Sequence, residues 1–216
     1  MLILALDTAT DTGSLALVDG ERPLIESSLE SAGTYLSRLL PGIAALFAAA
    51  GRDPADLGAL AVSVGPGNFT GLRIGLATAK ALAWSLGRPL VPVPTMEVLA
   101  AQVPCQPHAV GVVLDAKRQE VFWGLYRGSE DRPQVVAEPV RLPIAELLGR
   151  LAPPLVLTGP YAGFLPDLPR EGISLAPPEL RYPRAATVAR LALRRLEAGL
   201  TASPQQLTPT YLRPAL

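Results

Sequence analysis

Of the two side chains that most often ligate metals or serve as nucleophile and base, the 216 residues hold one cysteine, Cys105, and one histidine, His108. A lone cysteine makes no intramolecular disulfide, and this fits a reducing, cytoplasmic location. One histidine cannot supply a HExxH zinc site or a His/Cys cluster. A Ser-His-Asp hydrolase would depend on His108 alone, in a proline-rich stretch, with no Gly-x-Ser-x-Gly elbow to present the serine. Charge of either sign is not in excess: nineteen basic and nineteen acidic residues give +0, which removes any bulk attraction to RNA or an acidic membrane. No apolar run reaches the ~18 residues of a bilayer span. Met1 to Leu6 is apolar, but it has no basic leader and runs into Asp7, so it does not read as a signal peptide. What is abundant is apolar mass. At 49% hydrophobic residues and a mean hydropathy of +0.31, the chain can bury one large core or two lobes of about 100 residues each.

Leu2 to Leu6 and Gly13 to Val18 are strand-length apolar runs, and Asp19-Gly20 after them is a tight-hairpin signal, so the chain opens with antiparallel strands. The period then changes. Leu36, Leu39, Leu40, Ile43, Leu46 and Phe47 have helical spacing up to Gly51, with Pro41 in the first turn or at a kink. A buried strand follows at Ala59 to Val64, then a glycine-rich turn, a helix over Leu72 to Leu86 stopped by Gly87, a short strand at Leu90 to Val93, and a helix capped by Thr95. Hairpins first and helical crossovers later predict a mixed sheet with helices on its faces. Leu114-Asp115 echoes Leu6-Asp7, and Arg127-Gly128 echoes Asp19-Gly20 at the same offset. Leu155 to Leu157 leads into Gly159-Pro160 as Val62 to Val64 leads into Gly65-Pro66, over a shorter connection. The reading is an eroded internal duplication. Its expected parts are an N-terminal lobe at 1–104, a smaller lobe at 105–184 beginning in the proline-rich Pro104 to His108, and a terminal helix and tail at 185–216 that could pack back on the first lobe.

The most informative segment is Gly65-Pro66-Gly67-Asn68-Phe69-Thr70-Gly71-Leu72-Arg73-Ile74-Gly75. Its glycines let backbone approach a ligand or another segment just before a helix begins. It is neither a Walker A loop, because neither Gly65 nor Gly67 is followed at the required distance by Gly-Lys and a hydroxyl, nor the dinucleotide fingerprint, being one residue too wide.

These eleven residues closely resemble the signature of the bacterial TsaB family, also called YeaZ, which usually has serine in the place of Asn68. LALDTAT at Leu4 to Thr10 is similar to the family's first strand and turn, and LDAKRQEVFWGLY at Leu114 to Tyr126 to its second-lobe hairpin. Leu39-Leu40-Pro41 in the first helix and Tyr211-Leu212-Arg213-Pro214 at the end also match, in the family's order. The resemblance implies a duplicated, two-lobed α/β fold of the actin-like and Hsp70-like ATPase class, with a ribonuclease H-like core. It implies a cytoplasmic accessory subunit without catalytic residues. With TsaD and TsaE, family members support transfer of a threonylcarbamoyl group from threonylcarbamoyl-AMP to the adenosine beside the anticodon in tRNAs reading codons that start with A. They meet tRNA through the complex, and pair with themselves when TsaD is absent. The aliphatic stripe Leu36, Leu39, Leu40, Ile43 and Leu46 reads first as core; the small and apolar positions of the second helix, with the helical face that the resemblance implies for TsaD or a second copy, place the expected partner contacts at Leu36, Leu39, Leu40, Ile43, Arg73, Ala77, Lys80 and Trp84.

The rival is a kinase or ATPase of the same superfamily. Asp7-Thr8, with Thr10, Thr12 and Ser14, lies where its first phosphate loop would, and Asp115 and Glu120 are either second-lobe counterparts or the ends of a hairpin held by Lys117 and Arg118. No cofactor is required on the accessory reading. If ADP or ATP binds, the expected contacts are Asp7, Thr8, Gly65, Gly67 and Thr70; no metal ligand is assigned. Many relatives have a histidine where this chain has Tyr35, and no role transfers to it.

Overall fold

The computed structural model describes residues 1–30, 35–104, 107–128 and 133–212. The chain divides into two compact units, one of Met1–Thr95 with Pro183–Thr210, the other of Met96–Tyr182 joined by the chain from Tyr211. Cys105 lies outside the described residues.

In the first unit, β1 (Leu2–Asp7), β2 (Thr12–Asp19) and β3 (Arg22–Glu30) form antiparallel pairs, and β4 (Leu57–Ser63) and β5 (Leu90–Val93) extend the sheet in parallel, in the order β3-β2-β1-β4-β5. Every residue of β1 is buried, because both faces of the sheet are covered. Leu2, Leu4, Leu6, Leu15 and Leu17 meet Leu39, Ile43, Leu46 and Phe47 of α1 (Tyr35–Ala50), together with Ala79 and Ala83 of α2 (Phe69–Leu86). The alternate residues Ile3, Ala5, Ala16 and Val18 lie on the face covered by α5 (Ala185–Glu197), where alanines leave room for a helix. Pro41 lies within α1 without ending it.

The β2–β3 hairpin turns one position later than Asp19-Gly20. Asp19 pairs with Arg22, and the turn residues are Gly20 and Glu21, with Gly20 at a φ of +61°. A register shift at Leu17/Val18 absorbs the step, and the Asp19 carboxylate is held in line by the Met1 amino group at 3.0 Å and Arg52 Nη2 at 3.1 Å.

The second unit repeats the plan. β6 (Ala109–Lys117), β7 (Glu120–Arg127) and β8 (Gln134–Pro143) are antiparallel, β9 (Leu155–Thr158) and β10 (Ile173–Leu175) are parallel, and the order β10-β9-β6-β7-β8 is that of the first sheet read backwards. The duplication inferred from paired dipeptides is therefore present in the strand order. α4 (Ile144–Arg150) stands where α1 stands in the first unit, whereas a short 3-10 turn at Ala162–Phe164 replaces α2. The core on one side of this sheet is completed by α3 (Thr95–Gln102) through Met96, Leu99 and Ala100.

Among the described residues no helix is long and apolar enough to cross a membrane.

Candidate functional site

The chain after β1 and the glycine-rich segment after β4 lie side by side, because those strands are parallel neighbours ending at the same level: Leu6 pairs with Val62. Asp7 and Thr8 are fully buried, Gly65 is buried and Gly67 half-buried. Thr70 stands apart, exposed in the first turn of α2.

The glycines approach the chain's own backbone. A Cβ on Gly67 would lie 2.2 Å from the Ala9 carbonyl oxygen, and one on Gly71 2.1 Å from that of Thr8. A Cβ on Gly75 would lie 2.1 Å from Thr8 Oγ1, which donates to the Gly71 carbonyl at 2.8 Å. Gly65 has a φ of +109°, where only glycine is relaxed, and Thr210 closes over it by donating its amide to Val64 O at 2.7 Å. The Asn68 amide donates to Ala9 O at 2.7 Å. Asn68 also caps α2 by accepting from Gly71 N–H at 3.0 Å, the work a serine would do there, and its side-chain amide donates to Asp11 Oδ1 at 3.4 Å.

Tyr35, to which the sequence assigned no role, fills the remaining space. It is fully buried, its hydroxyl donates to Thr10 O at 2.7 Å, and its ring lies 2.9 Å from a Cβ built on Gly13 and 3.3 Å from one on Gly71. Burial, reinforced by Asp7 and Asp11, holds its phenol far above the ordinary range. No local pattern marks it, since Tyr35 and its partners belong to separate elements.

Burial pushes the Asp7 carboxyl up to about 6, with the nearby Ser63 hydroxyl and the Ala9 amide acting in the opposite sense. Ala9 N–H donates to Asp7 Oδ1 at 3.0 Å, while Asp7 Oδ2 and Ser63 Oγ make no hydrogen bond.

The second-unit pair is a hairpin end. Asp115 binds its own turn, taking Lys117 N–H and Lys117 Nζ at 2.7 Å each, and Glu120 faces Arg141 at 3.3 Å, not Arg118. His108 is exposed, and no group of three His, Cys, Asp or Glu able to hold a metal ion occurs among the described residues.

The expected partner face divides in two. Leu39 and Ile43 are buried, 1% and 6% exposed, because the sheet takes that side of α1; they cannot belong to a surface. Leu36 at 82%, Leu40 at 56% and Trp84 at 68% are large apolar side chains left in solvent, and Ala77 on α2 is exposed as well. Arg73 lies 3.7 Å over the Phe69 ring, and Lys80 Nζ donates to Leu207 O at 3.0 Å. Of the exposed set, Leu40 lines a groove of about 210 Å³, together with Ala44, Phe47, Pro54, Leu82 and Leu86 among others.

Comparison with known proteins gives this geometry its context. A family model described as TsaD, tRNA N6-adenosine threonylcarbamoyltransferase, matches residues 30–161. The chain is similar to the tRNA threonylcarbamoyladenosine biosynthesis protein TsaB of Escherichia coli (strain K12), 31% identical over 99% of this chain and 95% of that protein. Among solved structures it is similar to YeaZ from Pseudomonas aeruginosa, with a TM-score of 0.84 at 28% identity, covering 97% of this chain and 99% of that one. The activator of the 2-hydroxyisocaproyl-CoA dehydratase from Clostridium difficile, solved with bound ADPNP, has a TM-score of 0.55 at 11% identity over 92% of this chain and 97% of its own. That last likeness is one of fold alone. With the repeated sheets, it puts the chain in the duplicated, two-lobed α/β class of the actin-like ATPases.

Proposed function

Because the chain belongs to the TsaB/YeaZ family and so has a role in tRNA threonylcarbamoyladenosine biosynthesis, we propose that it is the non-catalytic partner of TsaD in that process. On this reading TsaD, with TsaE, moves the threonylcarbamoyl group from threonylcarbamoyl-AMP to the adenosine adjacent to the anticodon, in tRNAs reading codons that start with A. This chain contributes a surface, and the setting is the cytoplasm.

One contrast carries the reading. The turns that would cradle a nucleotide are filled by the chain's own Thr8, Ala9, Tyr35 and Thr210, whereas α1 leaves Leu36 and Leu40 uncovered and α2 leaves Trp84 uncovered, with Leu40 lining an apolar groove. Contiguous exposed apolar side chains mark protein contact surfaces. The partner set is then Leu36, Leu40, Ala77 and Trp84, with Arg73 and Lys80 at the polar margin, and a second copy of the chain occupies the face when TsaD is absent. Balanced charge supports an indirect role toward tRNA, whose phosphates would be met by another subunit. Asp7, Thr8, Gly65 and Gly67 then serve the fold.

Reconstitution tests this. The purified chain alone is expected neither to modify tRNA nor to hydrolyse ATP, and adding it to TsaD, TsaE, threonylcarbamoyl-AMP and tRNA is expected to restore modification. Full activity of the mixture without this chain overturns the proposal. ATP consumption by the isolated chain that disappears in Asp7→Ala establishes the kinase-type alternative instead.

A further inference from the structure

In the second unit β6 and β9 run parallel, with Val112 paired to Thr158, so the turn after β9 and the tip of the β6–β7 hairpin lie at the same end of the sheet. Open α/β sheets ordinarily meet their ligands beyond the carboxyl ends of such strands. The turn after β9 is fixed from beneath. Ala162 and Leu165 are buried, Tyr161 N–H donates to Val113 O at 3.4 Å, and Ala162 N–H donates to Gly159 O at 3.1 Å. Phe164 is thereby held out in solvent at 74% exposure, its ring centroid 5.7 Å from that of the half-buried Tyr161. Arg181 lies alongside. Its Nε donates to Ala176 O at 2.6 Å, and a Cβ on Gly163 would lie 2.9 Å from its Nη1, so the guanidinium rests against the backbone between the two rings.

The hairpin tip adds a second cation. Lys117, Arg118 and Gln119 have φ values of +64°, +56° and +60°, three successive residues in the left-handed region that L side chains disfavour. The tip is nevertheless tied down: Asp115 takes Lys117 N–H and Lys117 Nζ at 2.7 Å each, and Ile144 N–H donates to Gln119 O at 3.0 Å. Arg118, at its apex, is exposed. Counting along β6 from Val113, the apex stands roughly 10–13 Å beyond the turn after β9. Lys117, Arg141 and Arg150 of this unit are matched by Asp115, Glu120 and Glu146, whereas Arg118 and Arg181 make no ion pair among the described residues.

We propose that this end of the second unit binds single-stranded RNA, an unpaired base stacking on Phe164 and Tyr161 while flanking phosphates meet Arg181 and Arg118. Every base has a flat π face, and an aromatic ring presented on a rigid turn takes it without reading its sequence. A guanidinium with no carboxylate partner is free to take a phosphate. The exposed chain neighbours of Phe164 are Gly163, Pro166 and Asp167, not the aliphatic patch that a protein contact buries. The family's role in tRNA modification makes RNA the strand at hand. The contact is local, as balanced overall charge requires, and it is separate from the α1–α2 surface.

Fluorescence anisotropy of the purified full-length chain, titrated against a labelled oligoadenylate of about ten nucleotides, tests this. The strand is expected to bind more tightly than its duplex with oligouridylate, whose bases are already stacked and paired. Phe164→Ala is expected to weaken binding by about 10- to 100-fold, and Phe164→Tyr to retain it. Arg118→Gln and Arg181→Gln are each expected to weaken binding and to reduce the slope of log affinity against log salt by about 0.7. Phe164 and Arg118 are exposed, so their variants should keep the wild-type unfolding midpoint. Absence of binding, equal affinity for strand and duplex, or unchanged affinity in Phe164→Ala overturns the proposal. If Phe164→Ala binds the strand as wild type does but loses TsaD in a pull-down, the ring belongs to a protein contact instead. Because the chain is titrated alone, failure here leaves the TsaD partnership standing, and failure of reconstitution leaves this site standing.

Discussion

Tyr35 at the start of α1 donates its hydroxyl to the Thr10 carbonyl at 2.7 Å, and with that bond α1 is pinned to the turn that follows β1. The bond is buried, so deleting its donor strands an acceptor. Tyr35→Phe is expected to cost about 1–3 kcal/mol, read as a lower urea midpoint at unchanged slope. Its exposed neighbour Leu36, mutated to alanine, should change stability by less than about 0.5 kcal/mol.

Thr8 and Gly75 are complementary. An exposed Gly→Ala change inside a helix ordinarily stabilises by about 1 kcal/mol. At Gly75 the added methyl would meet Thr8 Oγ1 at 2.1 Å, so Gly75→Ala is expected to destabilise by about 1–3 kcal/mol. In a Thr8→Ala background, the same change should become neutral or favourable. A double-mutant cycle by chemical unfolding reads the coupling, and additive effects would show that the contact is not the cause.

Leu39 and Leu40 are adjacent in sequence and opposite in environment, at 1% and 56% exposure. Leu39→Ala should cost about 2–5 kcal/mol by opening a cavity in the first unit's core. Leu40→Asp or Trp84→Asp should leave the unfolding midpoint nearly unchanged while weakening self-association in sedimentation and binding to TsaD in a pull-down. Unaltered assembly of both would remove the α1–α2 face as the contact surface.

Glu26 on β3 tethers α5, whose own N-cap residue, Arg184, provides no capping side chain. Its carboxylate accepts from Ala186 N–H at 2.9 Å and is paired with the Arg184 guanidinium, the Nε contact being 3.1 Å. The carboxylate thus serves as a cap supplied from another element, at the helix end that favours negative charge. Glu26→Gln keeps an acceptor and loses the charge, so it should be milder than Glu26→Ala, which is expected to cost about 1–2 kcal/mol. The gap between the two variants should narrow in high salt, as thermal unfolding would show.

The sequence by itself settled the strand and helix order of the first unit, the duplication and the turn after β4, because apolar period and turn residues act over a few neighbouring positions; β8, α4 and β10 of the second unit had no such mark. Which side of each element the sheet would take was decided only in three dimensions. The α1 stripe is wider than the face a sheet can bury, so Leu36 and Leu40 stay outside while Leu39 and Ile43 go in. The glycines announced a close approach without naming the approaching group; Thr8 and Gly71, 63 positions apart, meet only once β1 and β4 have paired in register. Tyr35 looked like a mere substitution, since burial and hydrogen-bond partners are properties of the packed chain and of no segment within it.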